Sequence, residues 1–554
     1  MSLLNQFLSR TEFAAYEEFR DGLEIRVPEN FNFAYDVADA YARAEPERRA
    51  MVWCNDEGAE RTVTFGELKA DSDRAAQVFR KQGVRKGDTV LLILKCRYEF
   101  WPCLLGLHKL GAVGVPATHM LTEHDLAYRF EQARIRMVVT VPEASLESAI
   151  EQAESAAPGG AVLKIHLHGE RAGWSDLAAE MAAADGAWER PAGEAATRND
   201  DLMLVYFSSG TTGQPKMVAH DFTYPLAHIV TAKYWQNVRD GGLHYTVADT
   251  GWAKSAWGKI YGQWICGSAV FVHDYDKFSP VRTLEVCAAY GVTTFCAPPT
   301  VYRFLIKEDL SKHDFSRLEY AVVAGEPLNP EVFEQFRKAT GLALMEAYGQ
   351  TEMTVGVGNF TGMTPKPGSM GRPSPLYRMF LARPDGTPCD AGEQGELVIP
   401  GDRVRAVGMF MGYHRDPDLT ARSLRGGVYH TGDVAWQDED GYFWYVGRDD
   451  DLIKSSGYRI GPFEVESALM EHPAVMECAV TGVPDPERGQ IVKATVVLAR
   501  DYAASDDLAH DLQAHVKRVT APYKYPRVIE FVPELPKTIS GKIRRVEIRQ
   551  KDRN

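Results

Sequence analysis

Short, continuous apolar runs alternate with amphipathic stretches along most of this chain. Residues 89–94 and 137–141 are apolar at nearly every position, which is typical of parallel strands that are covered on both faces. Between such runs the apolar positions recur at helical spacing, for example over residues 74–82. Strands that alternate with helices over several hundred residues predict an α/β fold.

The pattern changes near residue 447. Three adjacent carboxylates, Asp449 to Asp451, are costly to bury together and predict a solvated turn. Beyond them residues 528–532 read as a strand, and one helical stripe is formed by Leu508, Leu512, Val516 and Val519. We therefore expect a large, multi-sheet N-terminal domain over residues 1–447 and a small α+β C-terminal domain over residues 448–554.

A loop of hydroxyls and glycines follows the apolar run at residues 202–207. It consists of Ser208, Ser209, Gly210, Thr211, Thr212, Gly213, Gln214, Pro215 and Lys216. Glycines let backbone N–H groups crowd around an anion, and the hydroxyls and the lysine add donors and charge, which suits a triphosphate. The loop is not the common P-loop, because a proline precedes its lysine. Taken alone, the segment also fits a flexible surface loop.

The composition narrows the classes of function. Of the 554 residues 45% are hydrophobic and 25% are charged, as in an ordinary globular protein. The formal net charge of −14 argues against a nucleic-acid partner. The eight scattered cysteines predict free thiols in a reducing compartment. No secretory leader or bilayer-spanning run is evident, so we expect a soluble, cytoplasmic protein.

Three further segments place polar residues in close succession. Residues 347–352 combine an aromatic ring that can stack on a base with a carboxylate that can hold Mg²⁺ beside phosphates. Asp433 can accept hydrogen bonds from ribose hydroxyls, although a turn carboxylate is the commoner role for Asp beside Gly. Lys542 follows Ser-Gly near the C-terminus, where a solvated basic tail is the alternative.

Together these motifs, which span residues 206–542, resemble the adenylate-forming superfamily of acyl-CoA synthetases, firefly-type luciferases and peptide-synthetase adenylation domains. Residues 249–252, 456–462, 470–475 and 520–527 look most like medium-chain acyl-CoA synthetases. The resemblance implies two steps: a carboxylate attacks the α-phosphorus of ATP, and the thiol of CoA then displaces AMP from the acyl-adenylate. It also implies ATP, Mg²⁺ and CoA as cofactor and cosubstrates.

The resemblance assigns roles residue by residue. Residues 208–216 would hold the β- and γ-phosphates, Thr351 the α-phosphate and Glu352 Mg²⁺. The adenine pocket would be formed by Gly325, Glu326, Pro327, Glu346, Ala347, Tyr348, Gly349 and Gln350, with the Tyr348 ring stacked on the base. Asp433 and Arg448 would hold the ribose. Lys542 would bridge the substrate carboxylate and the α-phosphate.

The family plan also implies that the small domain is mobile. Rotation about Asp450 would withdraw Lys542 and bring a CoA-binding loop to the site. Gly457, Tyr458, Arg459 and Arg488 would contact CoA, with Gly457 leaving room for the pantetheine arm.

The acyl pocket is expected around Trp252, Lys254, Trp257 and Gly349. Acetate-specific relatives carry tryptophan where this chain has Gly349, so we expect room for larger acids. Lys254 either meets a polar group in the pocket or points to solvent. We expect a short-to-medium-chain, branched or small aromatic acid.

Two alternatives remain at this level. The acyl group could pass to a carrier protein instead of CoA, although the chain ends at Asn554 without a carrier domain of its own. The protein could also be a nucleotide-binding regulator without turnover, which the presence of Lys542, Asp433 and Glu352 disfavours.

Overall fold

The computed structural model describes residues 2–208, 214–537 and 543–553. The strands of the described residues are β1 Arg49–Asn55, β2 Glu60–Thr64, β3 Thr89–Ile93, β4 Val113–Pro116, β5 Met137–Thr140, β6 Leu163–His166, β7 Ser175–Asp176, β8 Leu202–Ser208, β9 Lys216–Asp221, β10 Leu243–Thr246, β11 Ala269–Asp274, β12 Thr294–Ala297, β13 Tyr320–Ala324, β14 Leu344–Tyr348, β15 Val357–Gly358, β16 Arg372–Pro373, β17 Phe380–Ala382, β18 Gln394–Ile399, β19 Gly412–Tyr413, β20 Tyr429–Gln437, β21 Phe443–Arg448, β22 Ile453–Ser455, β23 Tyr458–Ile460, β24 Val475–Asp485, β25 Gly489–Leu498 and β26 Val528–Phe531.

The helices of the same residues are α1 Leu4–Phe7, α2 Tyr16–Gly22, α3 Asp39–Ala44, α4 Phe65–Lys81, α5 Phe100–Leu110, α6 Glu123–Gln132, α7 Ala144–Ala153, α8 Leu177–Ala183, α9 Tyr224–Ile229, α10 Lys254–Gly258, α11 Gly262–Ile265, α12 Pro280–Ala289, α13 Pro299–Leu305, α14 Pro330–Thr340, α15 Pro417–Ser423, α16 Pro462–Met470, α17 Asp506–Val519 and α18 Arg545–Arg553. No helix in this described part of the chain is long and apolar enough to cross a membrane.

Two large sheets dominate the first part of the chain. One has nine strands in the order β16-β15-β14-β13-β12-β10-β11-β1-β2, and the other has eight in the order β19-β9-β8-β4-β3-β5-β6-β7. Pairs such as β3 with β4 and β5 are parallel, and every residue of β3 is buried. The continuous apolar runs thus became doubly covered parallel strands, as predicted, and the α/β fold class is confirmed.

Local sequence signals fix several helix ends. Helices α4 and α6 each begin with a capping box, Thr64 with Glu67 and Thr122 with Asp125. Helix α5 ends at Leu110 and is capped by Gly111, which has a φ of 75°. A smaller sheet, β17-β18-β20-β21, follows the two large ones along the chain.

The last hundred or so residues form a sheet of their own, β23-β22-β25-β24, with β26 paired to β25. Its apolar core includes Ile460, Leu512 and Val516. The predicted helical stripe is only partly buried, because Val519 at the end of α17 is exposed.

The acidic turn also differs from the expectation. Asp449 and Asp450 are exposed, whereas Asp451 is only 15% exposed in its side chain and pairs with Arg549 of α18. The third carboxylate is therefore an ion-paired anchor for the last helix and not a solvated side chain.

Candidate active site

The segment after β14 brings most of the predicted nucleotide residues together. Strand β14 ends at Tyr348, and residues 348–351 are joined by hydrogen bonds to Asp433 on β20 and to His220 on β9. Loops at the ends of sheet strands are the usual place for a ligand in an α/β fold, because the strands hold them rigidly.

The Asp433 carboxylate on β20 is the centre of a hydrogen-bond network. Tyr348 donates its hydroxyl to Oδ2 at 2.6 Å, and the Gln350 amide donates to the same oxygen at 2.7 Å. The Tyr445 hydroxyl donates to Oδ1 at 3.2 Å, and Arg448 lies 3.8 Å from that oxygen. Burial raises the pKa of Asp433, while Arg448 and these donors act in the opposite direction.

Glu352 is buried and held by one tyrosine. The Tyr413 hydroxyl donates to Oε1 of Glu352 at 2.7 Å. Strand β19, which carries Tyr413, pairs with β9, and the Lys216 ammonium lies 5.3 Å from the centre of the Tyr413 ring. Tyr413 therefore places the lysine at the end of the predicted phosphate loop close to the predicted magnesium ligand.

His220 supports the neighbouring residue, Thr351. Its Nε2 lies 2.9 Å from the Thr351 carbonyl oxygen, so this nitrogen carries the proton and donates. The ring stacks on Tyr224 with centroids 3.9 Å apart. Burial lowers the pKa of His220 to about 3, which keeps the ring neutral.

The predicted adenine pocket contains a tight turn and a buried acid. Gly325 has a φ of 110°, a conformation that L side chains rarely adopt. Glu346 accepts the Leu328 N–H at 3.1 Å with Oε1, and its Oε2 has no partner among the described residues. Burial raises the pKa of Glu346 to about 8.

The predicted acyl pocket is shaped by Trp257. A Cβ placed on Gly349 would lie 2.4 Å from Cη2 of this ring, which packs edge-on against Trp235. The idea that Gly349 leaves an open space therefore needs correction, because the indole of Trp257 fills the position of the missing side chain.

Trp252 is half-buried, and Lys254 does not simply point to solvent. The Lys254 ammonium donates to the Ala324 carbonyl at 2.6 Å, at the end of β13.

The predicted CoA loop is exposed on the small unit. Gly457 has a φ of 84°, and no atom lies within 4 Å of the place where its Cβ would be. Tyr458 is 50% exposed and stacks on Tyr523. Arg459 pairs with Asp449 at 2.6 Å, and the Arg488 carbonyl accepts the Ser456 N–H, which brings both arginines to this loop.

Asp450, the predicted hinge residue, is exposed, and its Oδ1 lies 3.8 Å from Nε of Arg448. Six predicted site residues lie outside the described residues: Ser209, Gly210, Thr211, Thr212, Gly213 and Lys542.

Several residues of the site had no sequence signal. Tyr413 lies far from the motifs along the chain. Tyr429 lies four residues before Asp433 and Tyr445 three residues before Arg448, but a lone tyrosine carries no pattern. Tyr429 donates to the Gln350 side chain at 2.7 Å. His220 follows Lys216 by four residues in a stretch of β9 that is buried throughout, and a lone histidine there carries no motif.

Comparison with known proteins agrees with this geometry. The family described as AMP-binding enzyme matches residues 38–414, and its C-terminal domain matches residues 464–542. The mouse mitochondrial acyl-coenzyme A synthetase ACSM3 is 40% identical over 98% of this chain and 94% of its own length.

Two solved structures are similar over almost the whole chain. The anthranilate CoA ligase AuaEII in complex with anthranoyl-AMP has a TM-score of 0.87 at 27% identity, over 95% of this chain and 98% of its own. A benzoate CoA ligase from Burkholderia xenovorans LB400 has a TM-score of 0.81 at 27% identity, over 94% and 100%.

These names correct one expectation. The expected cytoplasmic location was wrong, because the similar acyl-coenzyme A synthetases are named as mitochondrial proteins. Scattered cysteines indicate a reducing environment but do not distinguish one reducing compartment from another.

Proposed function

The chain belongs to the AMP-binding enzyme family and is an AMP-forming acyl-CoA synthetase, and on that premise we propose that its acid is a short-to-medium-chain, branched or small aromatic carboxylate. The observation that carries this proposal is the Trp257 ring against Gly349. A flat, rigid wall at this point limits the length of the pocket and suits a compact or planar acyl group. The ligases of anthranilate and benzoate that share this fold support the same class.

The reaction joins the acid to CoA in two steps. A carboxylate oxygen attacks the α-phosphorus of ATP, and the bond to the leaving pyrophosphate breaks. The thiol sulfur of CoA then attacks the acyl carbon, its proton is lost, and AMP leaves. The acid is already ionised at neutral pH, so the first step needs no general base. Its difficulty is the approach of two anions, which cations and aimed N–H donors relieve.

We assign the β- and γ-phosphates to residues 208–216 and the α-phosphate to Thr351. The lysine at the loop's end and the His220 bond to the Thr351 carbonyl support this assignment. Among the described residues no group of three or more potential ligands is arranged to hold a metal alone. Glu352 nevertheless fits Mg²⁺ delivered with ATP, because that ion keeps several waters and phosphate oxygens and needs only one or two carboxylates. When bound, Mg²⁺ would neutralise phosphate charge.

The adenine is assigned to residues 325–327 and 346–350, and the ribose to Asp433 and Arg448. A carboxylate has about four acceptor positions, and Asp433 already accepts three hydrogen bonds. Two of these reach Oδ2, so Oδ1 is the oxygen left for a ribose hydroxyl.

We propose that residues 1–447 and 448–554 act as two domains, with Asp450 as the hinge. The separate apolar core around Ile460 and Leu512 supports this division. Rotation would exchange Lys542, which serves adenylation, for the Gly457 loop, which admits CoA. The open space around Gly457 supports that role.

The test is acid-dependent exchange of pyrophosphate into ATP, measured over a panel of acids and repeated as thioester formation with CoA. We expect butyrate to octanoate, branched acids and benzoate to exceed acetate and palmitate. A strong preference for acetate or palmitate would refute the proposed pocket. Acyl-adenylate that forms but is not consumed by CoA would instead favour transfer to a carrier protein.

A further inference from the structure

Arg129 on α6 is a buried cation at the base of the predicted phosphate loop. The residue is 8% exposed. Its guanidinium carbon lies 4.7 Å from the centre of the Phe207 ring, and Phe207 is the residue before Ser208, where that loop begins. The side chain is therefore held at the loop end of the β8–β9 hairpin by a cation–π contact.

Helix α6 also contacts the other end of the loop. The Tyr128 hydroxyl donates to the Pro215 carbonyl at 3.0 Å, and the Tyr128 ring packs edge-on against Phe207. Ser208 and Lys216 are paired across β8 and β9 at the point where the loop begins and ends. Two consecutive side chains of one helix thus meet both ends of the loop.

The positive charge of Arg129 is poorly balanced by the described residues. Nη1 donates to the Asp125 carbonyl at 2.8 Å, but the Asp125 carboxylate is 3.9 Å away. That carboxylate already accepts the Thr122 N–H and hydroxyl in the capping box. The buried Nε of Arg129 has no hydrogen-bond partner within the described ranges.

Burial disfavours the charged form of the Arg129 guanidinium. It lowers the pKa of Arg129 to about 10, against the smaller opposing effect of Asp125. Lys109 shows the contrast, because this fully buried cation lies within 2.8 Å of two carboxylates. A buried charge without a close counter-charge is expensive, so such a group is expected to have an anionic partner in its working state.

We propose that Arg129 is the cation of an anion subsite at the loop end of the β8–β9 hairpin, and that the subsite takes the pyrophosphate end of ATP and the pyrophosphate product. The inference rests on the proposed binding of phosphates by residues 208–216, and it adds a binding residue from outside that loop. The bound anion supplies the counter-charge that Asp125 supplies only in part. Arginine suits this role because its planar group offers several donors and stays charged.

The first measurement tests the proposed function alone. Wild-type protein should show acid-dependent pyrophosphate exchange and a rise of the melting temperature when pyrophosphate and Mg²⁺ are added. A wild-type protein that shows neither would overturn the assignment of residues 208–216, and the anion subsite with it.

The second measurement compares Arg129→Met, Arg129→Lys and Arg136→Met. Arg136 is an exposed arginine just beyond the same helix and is the matched control. In Arg129→Met the melting temperature without ligand should stay the same or rise, because an unbalanced buried charge is removed. The pyrophosphate-induced rise should be lost, and KM for ATP should increase about tenfold or more while kcat changes less.

Arg129→Lys keeps the charge and should retain part of the pyrophosphate effect, and Arg136→Met should match wild type. A merely structural role gives the opposite pattern. If Arg129→Met melts well below wild type without ligand, yet keeps the pyrophosphate-induced rise and the KM of wild type, the anion subsite does not exist. If Arg129→Met does not fold, the Lys variant decides, because wild-type KM and an unchanged pyrophosphate response at reduced stability would overturn the proposal.

Discussion

Glu346 is a carboxylic acid in a place where a carboxylate is costly. Burial raises its pKa from the ordinary value of 4.5 to about 8. Between these values the folded chain keeps a proton that the unfolded chain releases, so the stability that this group contributes decreases as the pH rises. Above about pH 8 the Glu346 carboxyl is ionised in both the folded and the unfolded chain, so its destabilising effect no longer grows as the pH rises.

Glu346→Gln should therefore gain stability relative to wild type as the pH rises. Glutamine cannot ionise and keeps an oxygen for the Leu328 N–H. The free energy of unfolding of both proteins, measured in denaturant at about pH 6 and about pH 9, should move in favour of the variant by one or more kcal/mol. An equal difference at the two pH values would show that the carboxyl does not titrate in this range.

Trp257 should set the length of the acid that the enzyme accepts. In Trp257→Ala the ring that fills the side of Gly349 is removed, so longer chains gain room. The ratio of kcat/KM for decanoate to that for butyrate should rise about tenfold. Trp174→Ala removes a ring that stacks on His166, remote from the site, and serves as the control. An unchanged ratio in Trp257→Ala would place the pocket elsewhere.

Single residues of the site were only partly predictable. Asp433, Tyr348 and Gln350 were each named from local motifs, but nothing along the chain showed that they share hydrogen bonds. Tyr445 was not predictable, because its partner lies on a neighbouring strand and a sheet register cannot be read from one sequence.

Between elements, a buried ion network joins three helices. Lys109 of α5 is fully buried and pairs with Asp39 of α3 at 2.8 Å and with Asp73 of α4 at 2.5 Å. Burial raises the pKa of Asp39, and the ammonium opposes that rise. Breaking such a network leaves an uncompensated buried charge, which costs much more than the net contribution of the intact pair.

Lys109→Met should lower the free energy of unfolding by about 3–5 kcal/mol. The control is Lys81→Met in α4, where an ammonium that is 68% exposed pairs with Glu180. That variant should lose about 1 kcal/mol or less. Adding Asp39→Asn and Asp73→Asn to Lys109→Met should recover part of the loss. Equal losses for Lys109→Met and Lys81→Met in urea unfolding would contradict the network.

Elements with strong periodicity were predictable, and short ones were not. The apolar run at residues 202–207 became β8, and the run at 89–94 became β3. A strand of consecutive apolar residues has no polar face to turn to solvent, so it is expected inside a sheet that is covered on both faces. Strands β15 and β16 have two residues each and owe their conformation to pairing with β14 and with each other. No local propensity reveals a strand that tertiary contacts alone create.

For the whole molecule, the sequence predicted two unequal units but not their contact. The rings of Tyr445 and Phe463 pack with centroids 6.4 Å apart, and the Asn329 amide donates to the Ser467 carbonyl at 3.3 Å. An apolar cluster of Val434, Val446 and Leu452 crosses the same boundary. These contacts carry no pattern in the sequence, because the pairing of two elements cannot be read from one chain alone.

The two half-reactions should fail separately when Lys542 and Gly457 are altered. Lys542→Ala removes the cation that we propose offsets the reacting anions, so pyrophosphate exchange should fall about 100-fold or more. Thioester formation from supplied acyl-adenylate should remain close to wild type. Gly457→Leu should do the opposite, because its side chain enters the open space of the CoA loop and strains a backbone with a φ of 84°.

Lys537→Ala is the matched control for Lys542→Ala, because Lys537 pairs with Glu477 on the surface of the same segment. It should leave both steps nearly unchanged. Melting temperatures exclude simple unfolding of the Gly457 variant. If Lys542→Ala and Gly457→Leu each lose both steps to the same degree while remaining folded, then one arrangement of the small unit serves both reactions, and rotation about Asp450 has no role in turnover.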